Sequence, residues 1–265
     1  LPPPSLPRYV KVPAADRASD ESLAKLKEAL RRTFVEVDDS MVKTPEMADR
    51  RDRSGCTAIA VVVTPTHFLC ANAGDSRSVY ATGGKTEAGG QEMKTVPLSF
   101  DHKPFHPEEL TRIDNAGGYV SMKRVDGDLA VSRALGDFQY KDREDLPAEQ
   151  QKVTCNPDVT VCARTPEDEF VVLACDGIWD VASNEEGTAM VQAILDEGEG
   201  TPVNIAEEIL DTCLEKGSRD NMTACVILCG GARIAETGGG VASRREKRAA
   251  AAREKEIENT PVPRV

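Results

Sequence analysis

From Glu169 to Cys175 the chain reads EFVVLAC, and Asp176-Gly177 follows without a break. An apolar run this short and this continuous reads as a strand covered on both faces. The rest of the chain must therefore supply layers above and below it. Its 265 residues are enough to do so with an ordinary core, without disulfide or metal staples. Further β-rich runs occur at Cys56–Val63 (CTAIAVVV), His67–Ala71, Arg77–Ala81, Met93–Leu98 and Thr223–Cys229, the last read as a second buried strand. Pro65 and Gly74-Asp75 punctuate the early ones, which predicts antiparallel strands joined by tight turns. Gly83–Gly90 reads as a flexible loop, 42–55 as a polar loop, 118–137 as strand and turn, and 142–156 as an acidic loop.

Helical periodicity begins at Asp20, a plausible N-cap. Leu23, Leu26, Leu30, Phe34 and Val37 then recur every three or four residues on one face. Pro107 opens a second helix that runs to about Ala116, with Gly117 as its C′ residue. Glu185–Asp196 and Val203–Glu215 make a helix pair. Strands cluster and helices come in pairs, without βαβ alternation. The expected fold is α+β with antiparallel sheets rather than a doubly wound parallel sheet.

Charge narrows the function. Lys and Arg number 33 against 45 Asp and Glu, a net charge of −12, which argues against a general nucleic-acid binder. No run of 18 apolar residues is present, so no membrane span is expected. The eight cysteines form no CxxC pair and sit mostly in apolar runs, which reads as thiols in an intracellular, cytoplasmic or nuclear setting. With only His67, His102 and His106 beside them, the spacing does not suit zinc. The start at Leu1, in a Pro-rich stretch over 1–18, reads as a piece of a longer sequence. Two segments are expected: a domain over 1–231, carrying a net −15, and a tail over 232–265, carrying a net +3. The Ala-rich stretch Ser243–Glu258 has high helix propensity but almost no apolar stripe. It reads as a solvated helix or disorder, available to a partner protein.

The residues that suggest chemistry are aspartates at strand ends and turns. Asp176 follows the buried run and Asp180 lies four residues on. Asp220 precedes Asn221 just before the last strand. Asp101 closes LSFD, and Asp75 sits in ANAGDSR. Each alone is an ordinary turn residue. Together they offer oxygen ligands suited to hard divalent cations such as Mg²⁺ and Mn²⁺. Two such ions about 3.5–4 Å apart can hold a hydroxide for in-line attack on phosphorus. There is no GxSxG elbow, Walker A loop or HExxH, and no cysteine lies in an anion-binding loop closed by arginine.

At these same residues the chain resembles a known family. SGCTA (54–58), ANAGDSR (71–77), LSFDHKP (98–104), NAGGYV (115–120), RVDGDLAVSRALGD (124–137), NPDV (156–159), FVVLACDGIWDV (170–181) and GSRDNMT (217–223) stand in the order of the signature blocks of the metal-dependent protein Ser/Thr phosphatases of the 2C type, in a eukaryotic form. The resemblance covers about 22–230. It implies a four-layer α-β-β-α sandwich of two antiparallel sheets flanked by antiparallel helix pairs. It also implies a Mn²⁺ or Mg²⁺ centre of two core ions, with a phosphoprotein as substrate. On the family pattern Asp176 and Asp220 bind a core ion, while Asp101 and Asp180 join Asp176 around a third, weaker one. Residues 138–168 fall at the family's flap, beside its substrate cleft.

The family's block with a phosphate-holding Arg, its Glu-Asp pair and its DGHGG block, whose His is the proposed general acid, do not occur in these residues. The resemblance places them upstream of Leu1, so no catalytic Arg or His is assigned here. The chain as written is expected to hold half of an active site and to turn over little. The alternative is a pseudophosphatase that keeps the fold as a binding or regulatory module.

Overall fold

The computed structural model describes residues 20–49, 51–85 and 91–259. The Pro-rich start, the end of the expected Gly83–Gly90 loop and the last six residues lie outside them. The chain falls into two compact units. The first is Leu1–Val79, Val96–Pro166 and Leu173–Asp176; the second is Tyr80–Thr95, Glu167–Val172 and Gly177–Val265.

The first elements are α1 (Asp20–Met41), α2 (Pro45–Ala48), β1 (Gly55–Cys56), β2 (Ala58–Val63), β3 (His67–Ala73), β4 (Arg77–Lys85) and β5 (Gln91–Pro97). Then come α3 (Pro107–Asn115), β6 (Val120–Ser121), β7 (Arg124–Val125), β8 (Leu135–Gly136), β9 (Asp158–Ala163) and β10 (Asp168–Ala174). The last are α4 (Asp176–Trp179), α5 (Asn184–Asp196), α6 (Pro202–Glu215), β11 (Ala224–Leu228) and α7 (Gly240–Asn259). The main sheets run β2-β3-β9 and β11-β10-β4-β5, with the small pairs β1-β8 and β6-β7.

Several expectations shift by local physics. Asp20 is a residue of the first helical turn rather than a cap, where its charge faces the positive end of the helix. The run Cys56–Val63 breaks at Thr57, whose hydroxyl lies 2.9 Å from that of Ser76. Cys56 therefore pairs with Leu135 while Ala58 starts the pairing with β3. β4 continues through Gly83 and Gly84 to Lys85. α2 forms a helical turn inside the expected 42–55 loop. The final strand is only half covered, with Cys225 exposed, because β11 is an edge strand.

In the first unit, β3 pairs antiparallel with β2 from Ala58↔Ala73 to Val63↔Phe68, and with β9 from His67↔Ala163 to Asn72↔Asp158. α1 lies on this sheet through Phe34, which packs with Ala71, Ala73 and Val159. Small alanines under the helix let the two layers approach. One turn later a carboxylate is buried: Asp38 accepts from the Gly136 amide at 2.7 Å and from Lys141 Nζ at 2.8 and 2.9 Å. Gly136 is at φ +73°, and a Cβ there would lie 2.5 Å from the Ser54 carbonyl, so the turn requires glycine.

α3 is fastened to the same unit by charge. Glu109, 3% exposed, takes Arg133 Nε at 3.0 Å and Nη2 at 2.7 Å on one oxygen, and Arg112 Nη2 at 2.8 Å on the other. Arg133 reaches on to Asp158 at 2.8 Å and Arg112 to the Ser132 carbonyl at 2.7 Å. The expected acidic loop is tied in as well: Gln151 donates to the Arg143 and Leu146 carbonyls at 2.7 and 2.8 Å.

In the second unit β10 lies between β11 and β4, buried along nearly its whole length as the apolar run predicts. Its buried Glu169 is matched by Arg233, with Nη2 at 2.6 Å. α5 opens on a Ser183/Glu186 capping box, and Gly187 lies against the Trp179 ring, where a Cβ would come within 2.7 Å. α6 packs on β11 and α5. α7 has the weak apolar stripe expected of it, yet its inner side is engaged. Val241 is buried, Arg244 pairs with Glu197, and Arg248 reaches Glu208 at 2.7 Å and Asp211 at 3.1 Å. Charge holds this helix where apolar burial is scarce.

The Glu109 network makes a pH-dependent prediction. Burial opposes the charge of Glu109, but hydrogen bonds from Arg112 and Arg133 outweigh it and hold its carboxyl at about 2, below its ordinary 4.5. A carboxyl with a lowered folded-state pKa stabilises above its unfolded pKa, and the gain is lost as pH falls. Glu109→Gln should cost about 3 kcal/mol at pH 7, because it removes the buried charge that Arg112 and Arg133 share. The gap to wild type should narrow by roughly 1.4 kcal/mol per pH unit below about 4.5. Urea denaturation at pH 7, 4.5 and 3.5 measures it; a gap that does not change with pH contradicts the network.

Candidate metal centre

Asp176 is the first residue of the helical turn α4, separated from the end of β10 by Cys175 alone, and is half-buried. The next residue is clasped within the second unit. The Gly177 carbonyl accepts the Ser218 hydroxyl at 2.7 Å, and a Cβ on Gly177 would lie 2.5 Å from the Asn221 carbonyl. Only glycine allows that approach, so the Asp-Gly pair after the buried strand has a backbone reason as well as a chemical one. Asp220 is exposed and accepts from the Asn221 amide at 2.7 Å. Asp180 is exposed just past α4.

Asp101 is engaged differently. Its two oxygens take Arg77 Nε and Nη2, both at 2.8 Å, in a bidentate fork. Two residues away Lys103 Nζ meets Asp75 at 2.5 Å. The turn Gly74–Ser78 and the segment Leu98–Lys103 thus exchange charges in crossed order: acid 75 with base 103, base 77 with acid 101. The backbone supports the match. Leu98 N donates to the Ser78 carbonyl at 2.8 Å, Ser78 N to Ser99 Oγ at 2.9 Å, and His102 N to the Gly74 carbonyl at 3.0 Å. Asn72 Nδ2 bridges the Gly74 and Phe100 carbonyls at 3.1 Å each. The buried His102 ring closes the set, with Nδ1 3.1 Å from the Gly74 amide and Nε2 3.2 Å from Asp158. His102 and Arg133 hold the Asp158 carboxyl well below the usual carboxylate range.

Among the described residues no three His, Cys, Asp or Glu side chains converge where a metal ion would be held. Asp101 is saturated by Arg77 and Asp220 is turned to its neighbouring amide, so the donors present do not by themselves fit a two-ion centre. The sequence reading missed Arg77, Lys103, Glu109, Arg133 and Asp158. One signal was available: Asp75-x-Arg77 and Asp101-x-Lys103 carry opposite charges two apart, complementary when the segments run antiparallel. Four of the thiols are poor nucleophiles. Burial pushes Cys70 and Cys155 up to about 12 and raises Cys56 and Cys213.

Residues 10–222 match the sequence family described as Protein phosphatase 2C. Protein phosphatase 1B of Mus musculus is 44% identical over 219 residues, covering 82% of this chain and 53% of that protein. Protein phosphatase 1A of Bos taurus is 42% identical over 211 residues, covering 79% and 53%. The chain therefore spans about half the length of these curated relatives. The crystal structure of a serine-threonine phosphatase 2C from Toxoplasma gondii superposes with a TM-score of 0.66 at 27% identity, over 82% of this chain and 71% of that one. The α+β fold with antiparallel sheets expected from the sequence is the fold of these relatives. On the sequence match and the shared fold, the chain belongs to the protein phosphatase 2C family.

Proposed function

We propose that the protein carrying this chain is a Mn²⁺- or Mg²⁺-dependent phosphatase that hydrolyses phosphoserine and phosphothreonine in proteins. The observation that supports this most is the clasped junction of the ACDG and SRDN blocks. Gly177 is seated against Ser218 and Asn221, with Asp176 one residue before it and Asp220 within it. Asp176 and Asp220 are this chain's contribution to a core ion; a complete centre takes further oxygen ligands. Asp180 and Asp101 are assigned to a weaker third ion. The raised thiols of Cys56, Cys70, Cys155 and Cys213 do not suit a nucleophile, and the proposed nucleophile is water. No helix of the described residues is long and apolar enough to cross a membrane. An intracellular location, cytoplasmic or nuclear, is part of the proposal.

A second reading, a pseudophosphatase that only binds, is favoured by the fork on Asp101 and by the lack of three converging donors among the described residues. Activity separates the two. The full-length protein should release phosphate from a phosphothreonine peptide in Mn²⁺. Asp176→Asn should lower kcat by about three orders of magnitude, the scale lost when one member of a catalytic unit is removed. Cys56→Ser should retain the rate. Equal rates for wild type and Asp176→Asn, or none in either, would overturn the proposal; none in either would favour the second reading.

A further inference from the structure

We propose that the acidic side of α6 is a docking surface for a partner protein's helix that carries arginines four residues apart. In this chain α7 fills the surface, and it gives way to that helix. Both α6 and α7 lie in the second unit. Glu207, Glu208, Asp211 and Glu215 recur at helical spacing along α6. Glu208 is the anchor, with 1% of its side chain exposed. Among the described residues its ion pairs are all with α7: Arg248 Nη2 at 2.7 Å and Arg244 Nη1 at 3.5 Å. Arg248 reaches on to Asp211 at 3.1 Å and to Glu215, and Arg245 pairs with Glu207.

The surface selects arginine rather than any positive charge. A buried carboxylate needs a cation, and the contacts here are forked. Arg244 gives Nε at 2.6 Å and Nη2 at 2.9 Å to the two oxygens of Glu197, and its hydrogen bonds hold that carboxyl below its ordinary range. One Arg248 guanidinium serves Glu208, Asp211 and Glu215, a spread that a lysine ammonium does not match. The hold of α7 is nevertheless releasable. Val241 is its only buried side chain among the described residues, so little apolar area keeps it in place. Its ion pairs are partly exposed and weaken with salt. It joins the rest of the unit through Gly238, Gly239 and Gly240, at φ +148°, +80° and +54°. The Gly240 amide donates to the Glu197 carbonyl at 2.8 Å, and a Cβ on Gly238 would lie 2.5 Å from the same oxygen. Three glycines in a row can leave this turn for other backbone conformations at little steric cost, so the helix can swing out as a whole.

The test uses the full-length protein and a fluorescent peptide of residues 240–259, followed by anisotropy at low salt. With Arg244→Ala and Arg248→Ala in the protein, α7 no longer competes. The peptide should then bind at least about tenfold more tightly than to wild type, because apparent affinity scales with the fraction of open surface. Adding Glu208→Gln to that variant should remove the gain. A peptide with Arg244→Lys and Arg248→Lys keeps its charge but loses the forks, and should bind at least about fivefold more weakly. In wild type, excess isotope-labelled peptide should speed hydrogen exchange in the protein's own α7 while β10 stays protected. Should the double variant fail to fold, this exchange measurement decides alone. No binding to either protein, equal binding to both, or equal binding of the arginine and lysine peptides overturns the proposal. Wild-type dimers that the peptide dissociates would give the surface to a second copy of this chain and overturn the choice of partner.

Discussion

Two short segments far apart in sequence, Gly74–Ser78 and Leu98–Lys103, are locked together by a crossed exchange of charges, and much of the first unit depends on that exchange. Asp75 takes Lys103 and Arg77 takes Asp101, while the amides and carbonyls between them pair in register. The turn after β3 is thereby fixed to the segment leading into α3. From His102 the chain of contacts runs through Asp158 and Arg133 to Glu109, which seats α3 itself. A loop carrying several charged side chains becomes rigid because each buried charge has a partner; any one left alone would pay its desolvation.

The same economy governs the other buried acids of this acidic chain. Asp38 is matched by Lys141, Glu169 by Arg233, and Glu208 by Arg248. Further aspartates follow β10. Asp176 is half-buried, and Asp180 and Asp220 are exposed, around a glycine junction that admits no side chain. Asp101 is likewise matched, by Arg77.

Legibility in the sequence followed the range of the interactions. Periodicity placed α3, α5 and α6 within a residue or two and the start but not the end of α1, and the unbroken run at 169–175 announced β10, because burial of a face is written locally. The break at Thr57 was not readable, since it is set by Ser76 nineteen residues on. Nor was the edge position of β11, which depends on sheet order. α7 looked merely solvated because an apolar stripe was sought, whereas its contacts are arginine to carboxylate. For the site, the motifs showed where aspartates lie but not which were already paired. Asp75 and Asp101 look alike in sequence to Asp176 and Asp220. Only the fold brings Lys103 and Arg77 to the first two.

The crossed exchange is tested most directly by a double-mutant cycle on Asp75 and Lys103 in the full-length protein. Asp75→Asn, Lys103→Met and the double variant would be compared with wild type by urea denaturation at pH 7 and low salt. A pair in contact within one charge network should show a coupling of about 2 kcal/mol, with the double variant less destabilised than the sum of the singles. Additive losses, with a coupling below about 0.5 kcal/mol, would show that Asp75 and Lys103 do not hold the two segments together and would contradict the account.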